Sequence, residues 1–297
     1  MKILITGVYG IVGSYLCENL KNEGIYVVGI GRRKSYNECD KYYSCDIINS
    51  ESIEKAFKEN PDIEKVIHCA ALAHNKGDDL SRERFMKVNY EGTKNLVDMC
   101  NKYLKLKSFI FLSTISVYGE RLKINEYKEY ETLKPKTPYA EAKRLSENYI
   151  RENLKGNYSI LRLAPVYSKD FDRNIRKRTE IKGLGYTVGN GMEKLSLCNI
   201  KNIFLAVDYL VKNEDGKNTY NIADKNPYTY REILMERKKK RVIRIPKFLM
   251  KALYEINKIT LKDLFIEENS IKLISDNIYP SDEINKKIDL KYNIRDN

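Results

Sequence analysis

The stretch Lys2-Ile3-Leu4-Ile5-Thr6-Gly7-Val8-Tyr9-Gly10-Ile11-Val12-Gly13 decides the fold class. Lys2 to Thr6 is a run of strand length, and a helical pattern follows the glycines through about Glu23. Strand, glycine turn and helix in that order build a phosphate cradle. The glycines allow a tight turn and close backbone approach. The helix N-terminus turns its free N–H groups and positive dipole toward a pyrophosphate. Gly7, Tyr9, Gly10, Ile11 and Gly13 are therefore assigned to a dinucleotide.

Outward from this stretch, residues 25–30 read as a second strand ending in Gly29-Ile30-Gly31-Arg32-Arg33. A dinucleotide fold carries an acidic residue about here for the ribose 2′-hydroxyl. None is present, and Arg32 and Arg33 are placed to receive a 2′-phosphate, which favours NADP somewhat over NAD. The competing reading makes both arginines solvated loop charges. Asp46, with Ile47 beside it, follows a third strand at 42–45 and is either an acceptor for an adenine amino group or a loop cap. A fourth strand at 64–68 leads into Cys69-Ala70-Ala71, where small side chains let a cofactor lie close to the backbone. His68 reads as a satisfied core histidine, whereas His74, in the polar loop beyond, is a substrate-binding candidate. Asn89 and Gly92 lie inside a helical pattern spanning 81–103. Both weaken a helix, so close packing or a polar task is expected there, with Asn89 tying the helix to the strand that carries Thr114. Strands alternating with helices predict an α/β fold with a doubly wound parallel sheet, its ligands at the carboxyl ends of the strands.

Two stretches carry chemistry: Ser113-Thr114-Ile115-Ser116-Val117-Tyr118-Gly119, after an apolar strand ending in Leu112, and Tyr139-Ala140-Glu141-Ala142-Lys143. Tyr139 and Lys143 stand four apart after Pro138 and so share one helix face. A free phenol has a pKa of about 10, too high for a base near neutrality. An adjacent ammonium favours the phenolate and lowers that value. Tyr139 and Lys143 are thus proton-transfer candidates, with Thr114 hydrogen-bonding the oxygen that exchanges the proton. The plainer alternative is an ordinary helix with a solvated lysine. Leu112 and Ser116, flanking Thr114, are assigned to the cofactor and the substrate respectively.

The 297 residues can bury a sizeable core, and 54 Lys+Arg against 41 Asp+Glu give a formal charge of +13, which suits anionic partners. No nucleic-acid-binding motif accompanies that charge. Six cysteines show no CxxC or metal-like spacing, and with two histidines in the chain no metal ligands are assigned. The cysteines read as small core residues in a reducing compartment. No run is long and apolar enough to span a bilayer, so stable membrane insertion is not expected and a cytoplasmic location is.

Taken in order, six features resemble the extended short-chain dehydrogenase/reductases of the NAD-dependent epimerase/dehydratase family. They are Gly7/Gly10/Gly13, His68-Cys69-Ala70-Ala71, the Asn89, Gly92, Thr93, Asn95, Leu96 series, Ser113 to Gly119, Tyr139 with Lys143, and Leu161-Arg162-Leu163-Ala164-Pro165-Val166-Tyr167. That resemblance implies a Rossmann-type enzyme that uses NADP or NAD on a nucleotide-linked sugar, by 4-keto reduction or 4-epimerisation. It also implies a homodimer formed through the helices at 81–103 and 139–153. It makes Tyr139 the catalytic acid/base, Lys143 the holder of the nicotinamide ribose, and Thr114 the residue that orients the substrate hydroxyl. With these go Ala70, Ala71 and Asn89 on the cofactor side. Family dehydratases carry an Asp-Glu pair directly after the threonine. Ile115-Ser116 stands there instead, which disfavours elimination of water. A reductase, which consumes NADPH, suits Arg32 and Arg33 better than an epimerase. The alternative is a non-catalytic dinucleotide-binding or scaffold protein, against which the Thr114, Tyr139 and Lys143 set argues.

Residues 1–165 are expected to form the NAD(P)-binding domain, with 198–223 returning to its sheet, and 166–297 a smaller α/β substrate lobe. Arg176 and Arg178, in a basic run at 170–178, are candidates for a substrate diphosphate. Residues 183–191 read as turn-rich, 194–198 as a strand, 200–211 as a helix, 218–223 as a strand and 228–236 as a helix. The apolar-basic stretch 247–258 reads as a lobe helix with a charged outer face, preferred over the alternative of docking on a membrane surface.

Overall fold

A computed structural model describes residues 1–73 and 81–296, so His74 lies outside the described residues. Two compact units emerge: Met1–Thr114 with Pro138–Arg162 and Ala206–Tyr220, and Ile115–Thr137 with Leu163–Leu205 and Asn221–Asn297. The chain begins β1 (Lys2–Thr6), α1 (Ile11–Asn22), β2 (Tyr26–Gly31), β3 (Lys41–Ser44), α2 (Ser50–Lys58) and β4 (Lys65–His68). There follow α3 (Arg82–Phe85), a π-helical stretch (Met86–Glu91), α4 (Gly92–Tyr103), β5 (Ser108–Thr114), α5 (Pro138–Asn153) and β6 (Asn157–Leu163). Next come β7 (Val166–Tyr167), α6 (Arg173–Thr179), β8 (Glu180–Ile181), β9 (Leu184–Val188), β10 (Lys194–Leu195), β11 (Cys198–Asn199), α7 (Ile200–Lys212) and β12 (Lys217–Ile222). The remainder is β13 (Tyr228–Thr229), α8 (Tyr230–Glu236), β14 (Val242–Ile245), α9 (Lys247–Ile259), α10 (Leu264–Ile274) and α11 (Asp282–Asn285).

The expected doubly wound sheet has seven strands in the order β12-β6-β5-β4-β1-β2-β3. β1 pairs in parallel with β2 on one side and β4 on the other, and the parallel pairing continues to β3 and β5. The strand order reverses direction at β1, which puts the glycine loop at the switch point where such sheets bind ligands. Strands covered on both faces read as continuous apolar runs, as Ile3-Leu4-Ile5 and Phe109-Ile110-Phe111 do, all fully buried.

The two helix-weakening residues have separate reasons. A Cβ on Gly92 would come within 2.7 Å of Ile47 Cδ1, so α4 packs closely on the buried Ile47 side chain after β3, which would have to shift to admit one. Asn89, in the π-helical stretch, accepts from Leu72 N at 2.7 Å and donates to Leu72 O at 3.0 Å. It therefore grips the segment after β4 and not the strand carrying Thr114, correcting the expected tie. A π turn widens the helix and re-aims the side chains on it.

In the second unit β9 pairs antiparallel with β8 and parallel with β14, so a strand lies inside the stretch read as turns. Gly183, Gly189 and Gly191, all at positive φ, form the turns around it and hid it. The expected strand at 194–198 divides into β10 and β11. The expected helix from 228 starts two residues later. Thr229 caps α8 through Glu232 N, and the Glu232 carboxylate returns to Thr229 N at 2.8 Å. Tyr167, Leu195, Leu197, Tyr230 and Ile233 pack as a core here. The face of α9 expected to be charged instead exposes large apolar side chains.

Candidate active site

After β1 the chain turns at Gly7 with φ +65°, and a Cβ there would lie 2.7 Å from Ala70 Cα. A Cβ on Gly13 would lie 2.3 Å from Gly7 O. Neither position admits a side chain. Gly10 N donates to Gly7 O at 2.9 Å, and Gly10 is the N-cap of α1, where no side chain caps the helix. A helix N-terminus left uncapped beside closely approaching backbone fits a pyrophosphate.

Tyr9 links this loop to the end of β2. Its hydroxyl accepts from Arg32 N at 3.1 Å, and its ring carries the Arg33 guanidinium 4.5 Å from the centroid. Tyr36 stands edge-on to Tyr9 and tilted to Tyr42, and the Tyr42 hydroxyl donates to Arg33 O at 2.9 Å. Tyr36 and Tyr42 escaped the sequence reading, whose only signal for them was tyrosine density around the paired arginines. Asp46 caps its own turn, accepting from Ile48 N at 3.2 Å, and Ile47 is buried beneath Gly92.

A buried polar chain backs the cradle. Ala70 N donates to Thr6 Oγ1 at 3.1 Å, which lies 2.7 Å from His68 Nδ1. His68 Nε2 lies 2.9 Å from Thr93 Oγ1, which donates to Asn89 O at 2.6 Å. Because the Thr93 proton is directed at Asn89, His68 donates from Nε2 and accepts at Nδ1 from Thr6. Burial, and then the charge of Lys143, hold the His68 pKa well below the usual histidine value, so the ring is neutral as this chain requires. His68 is a core residue.

Tyr139, Lys143 and Glu147 follow one another at four-residue steps along α5. The partly buried Tyr139 ring stands edge-on to Phe85 with centroids 6.0 Å apart. Lys143 is 2% exposed, and its ammonium donates to Leu112 O at 2.7 Å over the Phe111 ring. Burial lowers its pKa to about 8, opposed by Cys69 and Glu147. Burial also pushes Tyr139 up to about 12. The expected lowering of the phenol by its lysine is therefore reversed here. Desolvation of the phenolate dominates, while the ammonium is directed at the Leu112 carbonyl.

Glu147 was missed in the sequence. It is fully buried and accepts from Ser113 Oγ at 2.6 Å, Arg162 Nη2 at 2.8 Å and Arg151 Nη2 at 3.0 Å. Burial alone would raise its pKa, yet Arg162, Arg151 and Ser113 together hold it below the usual carboxylate value. The available signals were the third step of the four-residue series and an arginine inside an apolar strand. Through Ser113 this carboxylate fixes the residue next to Thr114.

In the second unit Ser116 is partly exposed in the short helical turn Ile115–Tyr118. Arg178 donates to Asn174 O at 2.9 Å and lines a pocket with Ile115, Glu120, Pro165, Tyr230 and Asn277. Arg176 does not line it; it is exposed and pairs with Asp172 at 2.9 Å. Two buried acceptors of that pocket, Glu120 Oε2 and Asn277 Oδ1, have no hydrogen-bond partner among the described residues. The other Glu120 oxygen faces the Tyr279 hydroxyl and the Lys272 ammonium, each at 3.2 Å. Unmet buried acceptors call for a donor.

A family model described as the NAD dependent epimerase/dehydratase family matches residues 3–223, most of the chain. The chain belongs to the NAD-dependent epimerase/dehydratase family. Among curated members, the dTDP-D-glucose 4,6-dehydratase of Dictyostelium discoideum is 30% identical over 259 residues, 75% of this chain and 58% of its own length. The UDP-glucose 4-epimerase of Streptococcus mutans is 28% identical over 157 residues, 51% of this chain and 46% of its own length. The chain thus spans about half the length of these curated relatives. Among solved structures, the UDP-glucuronic acid 4-epimerase of Bacillus cereus in complex with NAD superposes with a TM-score of 0.73 at 21% identity, covering 100% of this chain and 94% of that one. The UDP-glucose 4-epimerase of Thermotoga maritima with UDP-glucose gives 0.68 at 24% identity, covering 83% and 86%. These likenesses establish the epimerase/dehydratase fold.

Proposed function

We propose that the chain is an NAD(P)-dependent enzyme acting on a carbinol or ketone carbon of a nucleotide-linked sugar, by 4-keto reduction or 4-epimerisation. The observation that carries this reading is on α5, where a partly buried phenol and a buried ammonium share one face and the ammonium is bonded to Leu112, two residues before Thr114. Bound nicotinamide supplies the hydride chemistry. Gly7, Gly10, Gly13 and Ala70 would cradle its pyrophosphate, Arg32 and Arg33 a 2′-phosphate, and Lys143 the ribose. Tyr139 exchanges a proton with the substrate oxygen, which Thr114 orients.

A phenol pushed up to about 12 is protonated at neutral pH and acts as a proton donor. That matches the proton gained by a ketone oxygen on reduction, a step that a reductase shares with the second half of an epimerisation. Arg32 and Arg33 favour the reductase through NADP. Elimination of water finds little support, because Ile115-Ser116 offers no acid–base pair. Arg178 is the candidate for a substrate diphosphate, and the unmet acceptors of Glu120 and Asn277 suit hydroxyl or N–H donors elsewhere on the substrate.

The test is cofactor content and exchange. The purified protein is denatured, any released nucleotide identified, and the emptied protein titrated with NADH and NADPH. An empty site preferring NADPH is expected. Tightly retained NAD would argue for an epimerase and remove the roles given to Arg32 and Arg33. Failure to bind either dinucleotide would overturn the enzyme reading.

A further inference from the structure

Only Asn257 among the thirteen residues of α9 is buried. Phe248, Ile256 and Ile259 are 67%, 55% and 76% exposed, and Leu249 and Leu253 are exposed beside them. At about 100° per residue these five side chains occupy one sector about 140° wide. Lys251 and Lys258 stand exposed on the flank of that sector, beside Lys247, which is partly buried and paired with Glu193. The acidic residue of the helix, Glu255, has Lys258 3.8 Å away. Leu261 and Leu264, beyond the helix in the chain, are exposed as well. Just before it, exposed Val242 and Ile243 of β14 lie between exposed Arg241 and Arg244.

A continuous exposed apolar face with a cationic margin is the pattern of a helix that lies in a bilayer interface. Its apolar sector enters the acyl boundary and its lysines meet the headgroup phosphates. We propose that α9 docks this protein on the surface of an anionic bilayer. The helix lies on the membrane and does not cross it; no helix among the described residues is long and apolar enough to do so. Charge selects this occupant. A second copy would set one lysine margin against another in a chain of formal charge +13, whereas anionic lipid complements it.

The chain contains no tryptophan, so Phe248→Trp places a single fluorescent reporter on the proposed face. The full chain carrying this change is mixed with vesicles of phosphatidylglycerol and phosphatidylcholine, and with vesicles of phosphatidylcholine alone. With the anionic vesicles the emission is expected to shift to the blue and the protein to sediment with lipid. Partitioning should fall about tenfold or more on neutral vesicles or in high salt. Adding Leu249→Ser and Ile256→Ser should weaken partitioning by about tenfold or more while the melting temperature stays put. Absence of a blue shift and of sedimentation with anionic vesicles would overturn the proposal, as would undiminished partitioning of the serine variant. If vesicles leave the spectrum unchanged and the serine substitutions turn a dimer into a monomer, the face is a subunit interface and the proposal fails.

Discussion

Helices α5 and α9 are both amphipathic and of similar length, and each breaks the usual sorting of side chains in the opposite direction. α5 buries Lys143 and Glu147, while α9 exposes Phe248 and Ile259 and buries Asn257. A buried charge persists only with partners inside the chain, and those of α5 are the Leu112 carbonyl, Ser113 and Arg162. An exposed apolar face gains nothing from its own fold and acquires a reason only from what covers it. The first departure points to chemistry within the molecule, the second to a surface outside it.

The largest expected effect comes from breaking the buried ion cluster. Glu147→Ala leaves the Arg162 guanidinium buried without its carboxylate and should destabilise the fold by about 3–5 kcal/mol in urea denaturation. A loss well under about 1 kcal/mol would show that water reaches Arg162. Lys143 should behave with the opposite sign. Its pKa falls from 10.5 to about 8 on folding, so the unfolded chain binds more protons between those values. Stability then rises with pH across that window, and at pH 7 the buried charge opposes folding by up to about 3 kcal/mol. Lys143→Met should therefore raise stability at pH 7, less the lost bond to Leu112, while abolishing turnover; a lower melting temperature would contradict this.

His68 sharpens the contrast within the first unit. Its pKa lies well below 6.5 in the fold, so below about pH 6.5 the unfolded chain takes up the proton first and stability falls with pH. The contribution is about 1.4 kcal/mol per pH unit until the folded-state value is reached. NMR titration of the His68 ring checks it directly, since an ordinary midpoint would refute the buried polar chain. Smallest of all, Ile256→Ala on α9 should change stability by no more than about 0.5 kcal/mol in the absence of lipid. A larger loss would mean that α9 is covered within the chain.

What the sequence disclosed is what short-range spacing controls. Gly7 at positive φ and the packed Gly13 show in a glycine triplet after a strand, and a four-residue step puts Tyr139 and Lys143 on one face. Partners distant along the chain were out of reach: Glu147 with Arg162, Asn89 with Leu72, and the unmet acceptors of Glu120 and Asn277. The direction of the Tyr139 shift was misjudged because burial, a tertiary property, outweighs the neighbouring charge. The outward face of α9 was misjudged for a related reason. An amphipathic pattern fixes that a helix has two faces and leaves open which one the fold turns inward.

The most direct test of the proposed catalytic site replaces Tyr139 with phenylalanine and follows reduced-dinucleotide binding and turnover of a 4-keto nucleotide sugar on the same preparation. Turnover is expected to fall by about 100- to 10,000-fold with dinucleotide affinity little changed. Turnover equal to that of the unaltered protein would contradict the assignment of Tyr139 and, with it, the role of α5.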